Sequence, residues 1–264
     1  MKRIKSELRF LRNLWRMNLA SAMEYKVSFL TQVITMFINN AIYFVFWIIF
    51  FNNVEQIGGW GLGDMMTLFA IVTTGFGLAL TFFGNSSRLA LLIEQGQIDY
   101  YLVLPRNTMV HILSSRTSIS AIGDIAFGVS MFIVAGNYSF YSITLWLICA
   151  ILVASIAVAY MAIVGSMAFW LGRASILSEQ AINALLTFSM YPSKIFEGVV
   201  RIILLTIIPA GFISAIPVRI ITELDNTLLI YLVAFSFIII TASIFMFLRG
   251  LKRYESGNLI NINM

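Results

Sequence analysis

The chain has 264 residues, of which 60% are hydrophobic and 11% are charged, and its formal net charge is +5. A soluble domain has about 25% charged residues because its surface meets water, so this composition excludes an ordinary soluble globule. The apolar residues come in runs of about 20, without the polar–apolar alternation of barrel strands, so we expect membrane-spanning helices. The basic residues lie beside these runs, which indicates orientation in a lipid bilayer and not nucleic-acid binding.

Residues 1–26 are basic and amphipathic, with apolar side chains at three- and four-residue steps. Arg9, Arg12 and Arg16 interrupt the apolar stretch that a cleaved signal peptide needs. We expect an interfacial helix on the cytoplasmic membrane surface, its arginines facing anionic headgroups. The alternative is a solvated basic leader.

Apolar runs predict spans at residues 27–51, 65–84, 117–135 and 143–171, and a last span at residues 228–248. Residues 172–226 are ambiguous because Pro192, Pro209 and Pro217 interrupt them, and proline breaks or kinks a helix. We expect a fifth span that ends at Tyr191, followed by a re-entrant helical pair on the outer side at residues 192–226. The alternative takes residues 199–216 as the fifth span.

The predicted fold is therefore all-α, with residues 1–264 forming a single transmembrane domain of six spans. Basic residues near the span ends set the orientation, since they accumulate on the cytoplasmic side. With both termini inside, the outer segments hold only Lys194, Arg201 and Arg219. We therefore expect both termini in the cytoplasm.

A polar interruption at residues 85–116 separates the second and third spans. Leu89, Leu92 and Ile93 form one apolar helical stripe, Gly96 ends it, and Pro105 prevents a smooth continuation. This pattern predicts a short helix–break–helix that protrudes at the cytoplasmic face.

The motif Gly96-x-Ile98-Asp99-x-x-Leu102-x-x-Pro105 between the second and third spans resembles the permease subunits of ABC-2 type transporters. It is most similar to the bacterial six-span group with a G-x-[IL]-D-x-x-L-x-x-P signature after span two. Prolines before the last span also resemble that group, namely Pro192, Pro209 and Pro217.

The resemblance implies an ATP-driven exporter subunit in the bacterial plasma membrane that moves a hydrophobic or amphiphilic compound outward by alternating access. It also implies a second permease subunit, identical or different, and separate ATPase subunits that use ATP and Mg²⁺. The motif residues would form the coupling element that contacts the ATPase. The alternative is that Asp99 caps a local turn and Pro105 starts the third helix. The sequence has no G-x-x-x-x-G-K-[ST] loop, so we expect neither a cofactor on this chain nor enzymatic activity of its own.

Four polar residues inside predicted helices of the membrane region are candidates for an intramembrane role: Asn40, Asp124, Glu179 and Asn183. An ionisable residue at the centre of a span costs about 2.5–3.5 kcal/mol on insertion scales, so each has a packing or a pathway-lining role. For Asp124 we expect Arg88 or Arg173 as the partner. A different class of function, an ATPase-independent secondary transporter or channel, would use Asp124 and Glu179 as proton or ion sites. A non-transporting membrane scaffold is a third reading.

Overall fold

The computed structural model describes residues 2–136, 139–192 and 195–254. Within these ranges the regular structure is helical, apart from an isolated bridge between Ile57 and Trp60. The helices are α1 (Lys2–Glu24), α2 (Lys26–Phe51), α3 (Leu62–Phe82), α4 (Leu89–Glu94), α5 (Asp99–Leu102), α6 (Thr108–Ser114), α7 (Ala121–Val134), α8 (Phe140–Ser166), α9 (Ala168–Leu171), α10 (Ser175–Ser189), α11 (Gly198–Thr206), α12 (Ala210–Ile213), α13 (Ala215–Glu223) and α14 (Asn226–Leu251). A 3₁₀ turn at Ser86–Arg88 precedes α4. The prediction of an all-α protein is confirmed.

Four helical stretches are long and apolar enough to cross a membrane, namely α2, α3, α8 continued by α9, and α14. They contain 26, 21, 32 and 26 residues, and a crossing of the hydrocarbon layer needs about 20. They correspond to the predicted first, second, fourth and sixth spans, and the predicted ends lie within three residues of the helix ends.

The helices at the predicted third and fifth spans are shorter. α7 has 14 residues, because it begins at Ala121 and residues 117–120 before it are not helical. α10 has 15 residues and ends before Pro192. The alternative fifth span at residues 199–216 is wrong as a continuous helix, since α11 ends at Thr206 and Pro209 lies in the break before α12.

Residues 195–225 form three short helices, α11 to α13, where a re-entrant pair was predicted. Pro217 lies in the first turn of α13, where a backbone N–H has no intrahelical acceptor, so its missing N–H costs no helical bond. α13 packs against α3 and α14. Lys194, one of the three outer basic residues in the orientation argument, lies outside the described residues.

α3 is the central helix and contacts α2, α7, α8 and α13. A Cβ added to Gly128 of α7 would lie 2.2 Å from Thr74 Oγ1 of α3, so only glycine permits this approach. Small residues at helix contacts are typical of membrane proteins, because lipid is as apolar as the side chains and tight packing must hold the helices together. Trp146 of α8 also donates a hydrogen bond from Nε1 to the carbonyl oxygen of Ala70 at 3.1 Å.

Candidate functional site

The 85–116 segment is closed at its base by hydrogen bonds between its two ends. The N–H of Gly84 donates to the carbonyl oxygen of Arg116 at 2.9 Å. Asn85 Nδ2 donates to the carbonyl oxygen of Ile112 at 3.1 Å and to Ser115 Oγ at 2.8 Å. The short helices α4, α5 and α6 therefore project between two joined ends, in outline the predicted helix–break–helix.

Gly96 makes the break after α4. Its φ of +66° lies in the left-handed region, which glycine adopts without the steric cost of a Cβ. The Gly96 N–H donates to the carbonyl oxygen of Ile93 at 3.1 Å, and the Gln97 N–H donates to that of Leu92 at 2.9 Å. These bonds satisfy the last carbonyls of α4, so Gly96 shapes the segment.

The remaining motif residues divide between the interior and the surface. Ile98 is fully buried in a hydrophobic cluster that joins α4, α6, the end of α8 with α9, and α14. Leu102 is 38% exposed and Pro105 is also exposed. With their neighbours Tyr100 (67% exposed) and Val103 (81% exposed) they form a surface that we call the exposed tip. The motif thus contains a buried support and an exposed apolar surface above it.

Asp99 interacts with the hydroxyl of Tyr254, just after the end of α14. Burial raises the pKa of Tyr254, and the hydrogen bond and charge of Asp99 raise it further, so the hydroxyl stays protonated and donates. Ile98, and not Asp99, holds the N-cap position of α5, since Asp99 is the first residue of that helix. Pro105 does not start the third span either, since α6 intervenes.

The N-terminal helix α1 is attached to this segment along one face. Arg106 forms an ion pair with Glu7 at 3.1 Å, and its guanidinium lies 4.9 Å from the centre of the Phe10 ring. One turn further on, Trp15 Nε1 donates to the carbonyl oxygen of Phe82 at 2.8 Å. The arginines of the predicted membrane-facing side remain exposed on the helix: Arg9, Arg12 and Arg16. Only part of α1 is therefore free to meet a membrane surface.

Glu94 was not predicted as a site residue, and it links the segment to α10. Its Oε1 accepts hydrogen bonds from the N–H groups of Ala174 and Ser175, at 2.5 and 2.6 Å. The first N–H groups of a helix have no intrahelical acceptor, so Glu94 caps α10 from a distant part of the chain. Hydropathy gives no sign of this contact. The attachment of α1 does have an indication in the sequence, because Glu7 is the only acidic residue among the basic residues of positions 1–16.

Two of the four polar residues of the membrane region form a pair. Asn40 Nδ2 of α2 donates a hydrogen bond to Asp124 Oδ1 of α7 at 2.6 Å, and both side chains are buried. The prediction that Arg88 or Arg173 pairs with Asp124 is wrong, because its hydrogen-bond partner is an amide on α2. The geometry favours the packing role for this pair.

The other two, Glu179 and Asn183 on α10, face a separate cavity of about 500 Å³. Arg88 and Ser87 line the same cavity, together with apolar side chains of α3, α8 and α10. Asp124 is not among the lining residues, so the structure brings Asp124 and Glu179 to different places. The two candidate proton or ion sites of the secondary-transporter reading therefore lie apart from each other.

The long apolar helices, the buried polar pair and the attached polar segment define an all-α integral membrane protein. Residues 37–257 match the model of the ABC-2 family transporter protein family, which is most of the chain, so the chain belongs to that family. It is thus a membrane transport subunit, and such subunits generally work with ATPase partners. No curated protein and no solved structure matches the sequence. The resemblance to ABC-2 type permeases that was predicted from the 96–105 motif is confirmed.

Proposed function

We propose that this chain is the permease subunit of an ATP-driven exporter, which moves a hydrophobic or amphiphilic compound outward by alternating access. The observation that carries the proposal is the family match over residues 37–257, together with an exposed apolar tip on a buried support. ATP and Mg²⁺ are bound and ATP is hydrolysed by separate ATPase subunits. This chain receives their movement through the 85–116 segment.

The permease crosses the bacterial plasma membrane six times, with both termini in the cytoplasm. α2, α3, α7, α8 with α9, α10 and α14 are the six crossings, and α11 to α13 form the outer re-entrant region. The basic residues at the end of the molecule that carries the 85–116 segment support this orientation, and all but the half-buried Arg106 are exposed: Arg88, Arg106, Arg116, Arg173, Lys252 and Arg253. α1 lies in the inner membrane surface beside them.

The exposed tip contacts the ATPase. An apolar surface that meets water is unfavourable unless a partner covers it, and Tyr100, Leu102 and Val103 all expose apolar area. Ile98 and Gly96 hold the tip in place, and Asp99 connects it to the end of α14 through Tyr254. A pull on the tip would therefore reach α14, and through Glu94 it would reach α10.

A second permease subunit completes the pathway, either a copy of this chain or a different permease. The outward faces of α2 and α14 support this, since only 17% and 22% of the residues in the most apolar stretches of these two helices are buried. Lipid covers the part of these faces that the second subunit leaves free.

The test is co-purification of the tagged full-length chain from its native membrane. We expect a chain with a G-x-x-x-x-G-K-[ST] loop to accompany it. The variant Leu102→Glu with Val103→Glu should weaken this association more than tenfold, because a buried unpaired carboxylate costs well over about 1.4 kcal/mol. Its thermal stability should stay at the wild-type value, since both side chains are exposed.

Val54→Glu is the matched control, because Val54 is also an exposed valine (39%) but lies in the turn between α2 and α3 at the other end of these helices. It should leave the association intact. If the tip variant retains the ATPase as well as the control does, the assignment of the coupling surface is wrong. Export by the purified chain in liposomes without ATPase would instead support the secondary-transporter reading.

A further inference from the structure

The cavity beside α10 has a polar mouth and an apolar floor. Arg88, Glu179 and Asn183 line it and are exposed, whereas Phe76, Met161 and Ile182 line it and are buried. Its volume of about 500 Å³ falls in the range of about 300–1,000 Å³ that is typical of small-molecule sites. A cavity with this division fits a ligand with a charged head and an apolar body.

Both signs of charge are present at the mouth, and neither is neutralised by a neighbour. Among the described residues, no carboxylate lies within 4 Å of the Arg88 guanidinium and no basic group lies within 4 Å of the Glu179 carboxylate. Arg116, in the turn before α7, is close enough to Arg88 that burial and the charge of Arg88 lower the pKa of Arg116. The guanidinium side of the mouth therefore carries uncompensated positive charge, and the α10 side carries one negative charge.

In the proposed orientation, the cavity also lies where a compound from the inner membrane surface can enter. Arg88 belongs to the turn between α3 and α4, and Glu179 lies one turn into α10, whose start is held by Glu94 of the 85–116 segment. Movement of that segment would act directly on one wall of the cavity.

We infer that this cavity binds a zwitterionic amphiphile, with the anionic part of the head at Arg88, the cationic part at Glu179 and the alkyl chain on the apolar floor. If the proposed function is correct, this amphiphile is also the transported compound, and that step rests on the proposed function. Asn183, one helical turn beyond Glu179 on the same face of α10, supplies an amide that can donate to or accept from the head.

The test uses three photoreactive probes with the same dodecyl chain and different heads: phosphocholine (zwitterionic), phosphate monoester (anionic) and maltoside (neutral). The full-length chain is labelled in lipid nanodiscs without ATPase or nucleotide, and the labelled peptides are mapped by mass spectrometry. We expect saturable phosphocholine labelling on the peptides of α3, α4 and α10. Arg88→Gln should weaken the binding of both phosphate-containing probes about tenfold to 100-fold, the scale of one hydrogen bond to a charged group.

Glu179→Gln separates the two charges. It should weaken phosphocholine binding by a similar factor, and it should leave phosphate-monoester binding unchanged or tighter. The control is Arg219→Gln with Glu223→Gln, an exposed pair of the same charges on α13 at 2.9 Å from each other, and it should change nothing. Equal binding of the maltoside probe, or phosphocholine binding that neither cavity variant changes, would overturn the inference.

These outcomes do not depend on ATPase association. Selective labelling in the cavity, combined with a co-purification that yields no ATPase, would support the binding site and refute the proposed function. Co-purification of the ATPase with no charge-selective labelling would do the reverse.

Discussion

The side-chain amide of Asn40 donates a hydrogen bond to the carboxylate of Asp124 at 2.6 Å, although 84 residues separate them in the chain. The pair joins α2, which is otherwise among the least buried of the spans, to α7. A Cβ added to Gly123, the residue before Asp124, would lie 2.3 Å from the carbonyl oxygen of Val33, so the two backbones touch close to the polar pair. Asn40 therefore satisfies a buried carboxylate at a close helix contact.

Asn40→Leu should destabilise the protein by about 1–3 kcal/mol, because it leaves Asp124 buried without its donor. Asp124→Asn should cost less, since an amide can still accept from Asn40. The measurement is the unfolding temperature of the protein in detergent, and a double-mutant cycle should give a coupling of about 0.6–1.7 kcal/mol, the range of interhelical hydrogen bonds in membranes.

Asn53→Ala is the control for this series, because Asn53 follows the same helix and its amide donates to the carbonyl oxygen of Ile49 while exposed. It should change the unfolding temperature little. A coupling near zero between positions 40 and 124 would contradict the proposed role of the pair.

The four long apolar helices could be predicted closely because lipid imposes a direct rule on sequence: a helix that crosses it needs about 20 apolar residues. The Asn40–Asp124 pair could not be predicted, because hydropathy does not say which faces of two helices meet. Charge led instead to Arg88 and Arg173, whose guanidinium groups are exposed elsewhere. Residues 172–226 were difficult for the same reason. Their helices are too short to be recognised as spans from length and hydropathy, and their positions depend on which faces pack together.

The 96–105 motif shows a second limit of sequence reasoning. Its pattern located the segment and the break at Gly96, yet Ile98 and Leu102 were given one role. Both are aliphatic residues in a short irregular stretch, where no periodicity separates an inward from an outward side chain. Only packing distinguishes the fully buried Ile98 from Leu102.

Ile98→Ala should destabilise the protein by about 2–5 kcal/mol, because it removes a fully buried aliphatic side chain and leaves a cavity in the cluster beneath the tip. Leu102→Ala should cost less than about 0.5 kcal/mol, as expected for an exposed position. Thermal unfolding of the two variants side by side checks the difference. Equal losses would mean that the motif is not divided into a support and a surface.

His111 should make the attachment of α1 sensitive to pH. Its ring is in edge-to-face contact with Phe10 of α1 at 4.8 Å and with Tyr101 at 5.0 Å. Burial lowers the pKa of His111, the nearby Arg106 lowers it further, and Glu7 opposes this by raising it. The folded protein therefore favours the neutral ring.

The sign follows from that direction. Because the folded pKa lies below the unfolded value of about 6.5, the stabilisation is complete above about pH 6.5 and is lost as the pH falls through the folded pKa. Hydrogen exchange in α1 should become faster as the pH is lowered, after correction for intrinsic rates. His111→Phe keeps the aromatic contacts and should remove most of this dependence, whereas an unchanged pH profile in that variant would exclude His111 as the cause.

Glu94→Ala should release the start of α10. The Glu94 carboxylate accepts from two N–H groups, those of Ala174 and Ser175, so its loss should cost about 1 kcal/mol, as for other helix N-caps. Hydrogen–deuterium exchange at these two amides should accelerate. Glu55→Ala, at an exposed glutamate in the turn before α3, is the matched control and should not affect them.

The same variant tests whether Glu94 transmits movement from the tip. Because the exposed tip is untouched, Glu94→Ala should still bind the ATPase. If the cavity binds the transported compound, dodecylphosphocholine should stimulate ATP hydrolysis by the wild-type complex, and Glu94→Ala should reduce this stimulation. Glu94→Gln retains an acceptor oxygen at the same position and should recover part of the stimulation. If Glu94→Ala loses the amide protection at α10 and keeps full stimulation, Glu94 does not transmit the movement. The contact between Asp99 and Tyr254, which links the segment to α14, is then the remaining candidate.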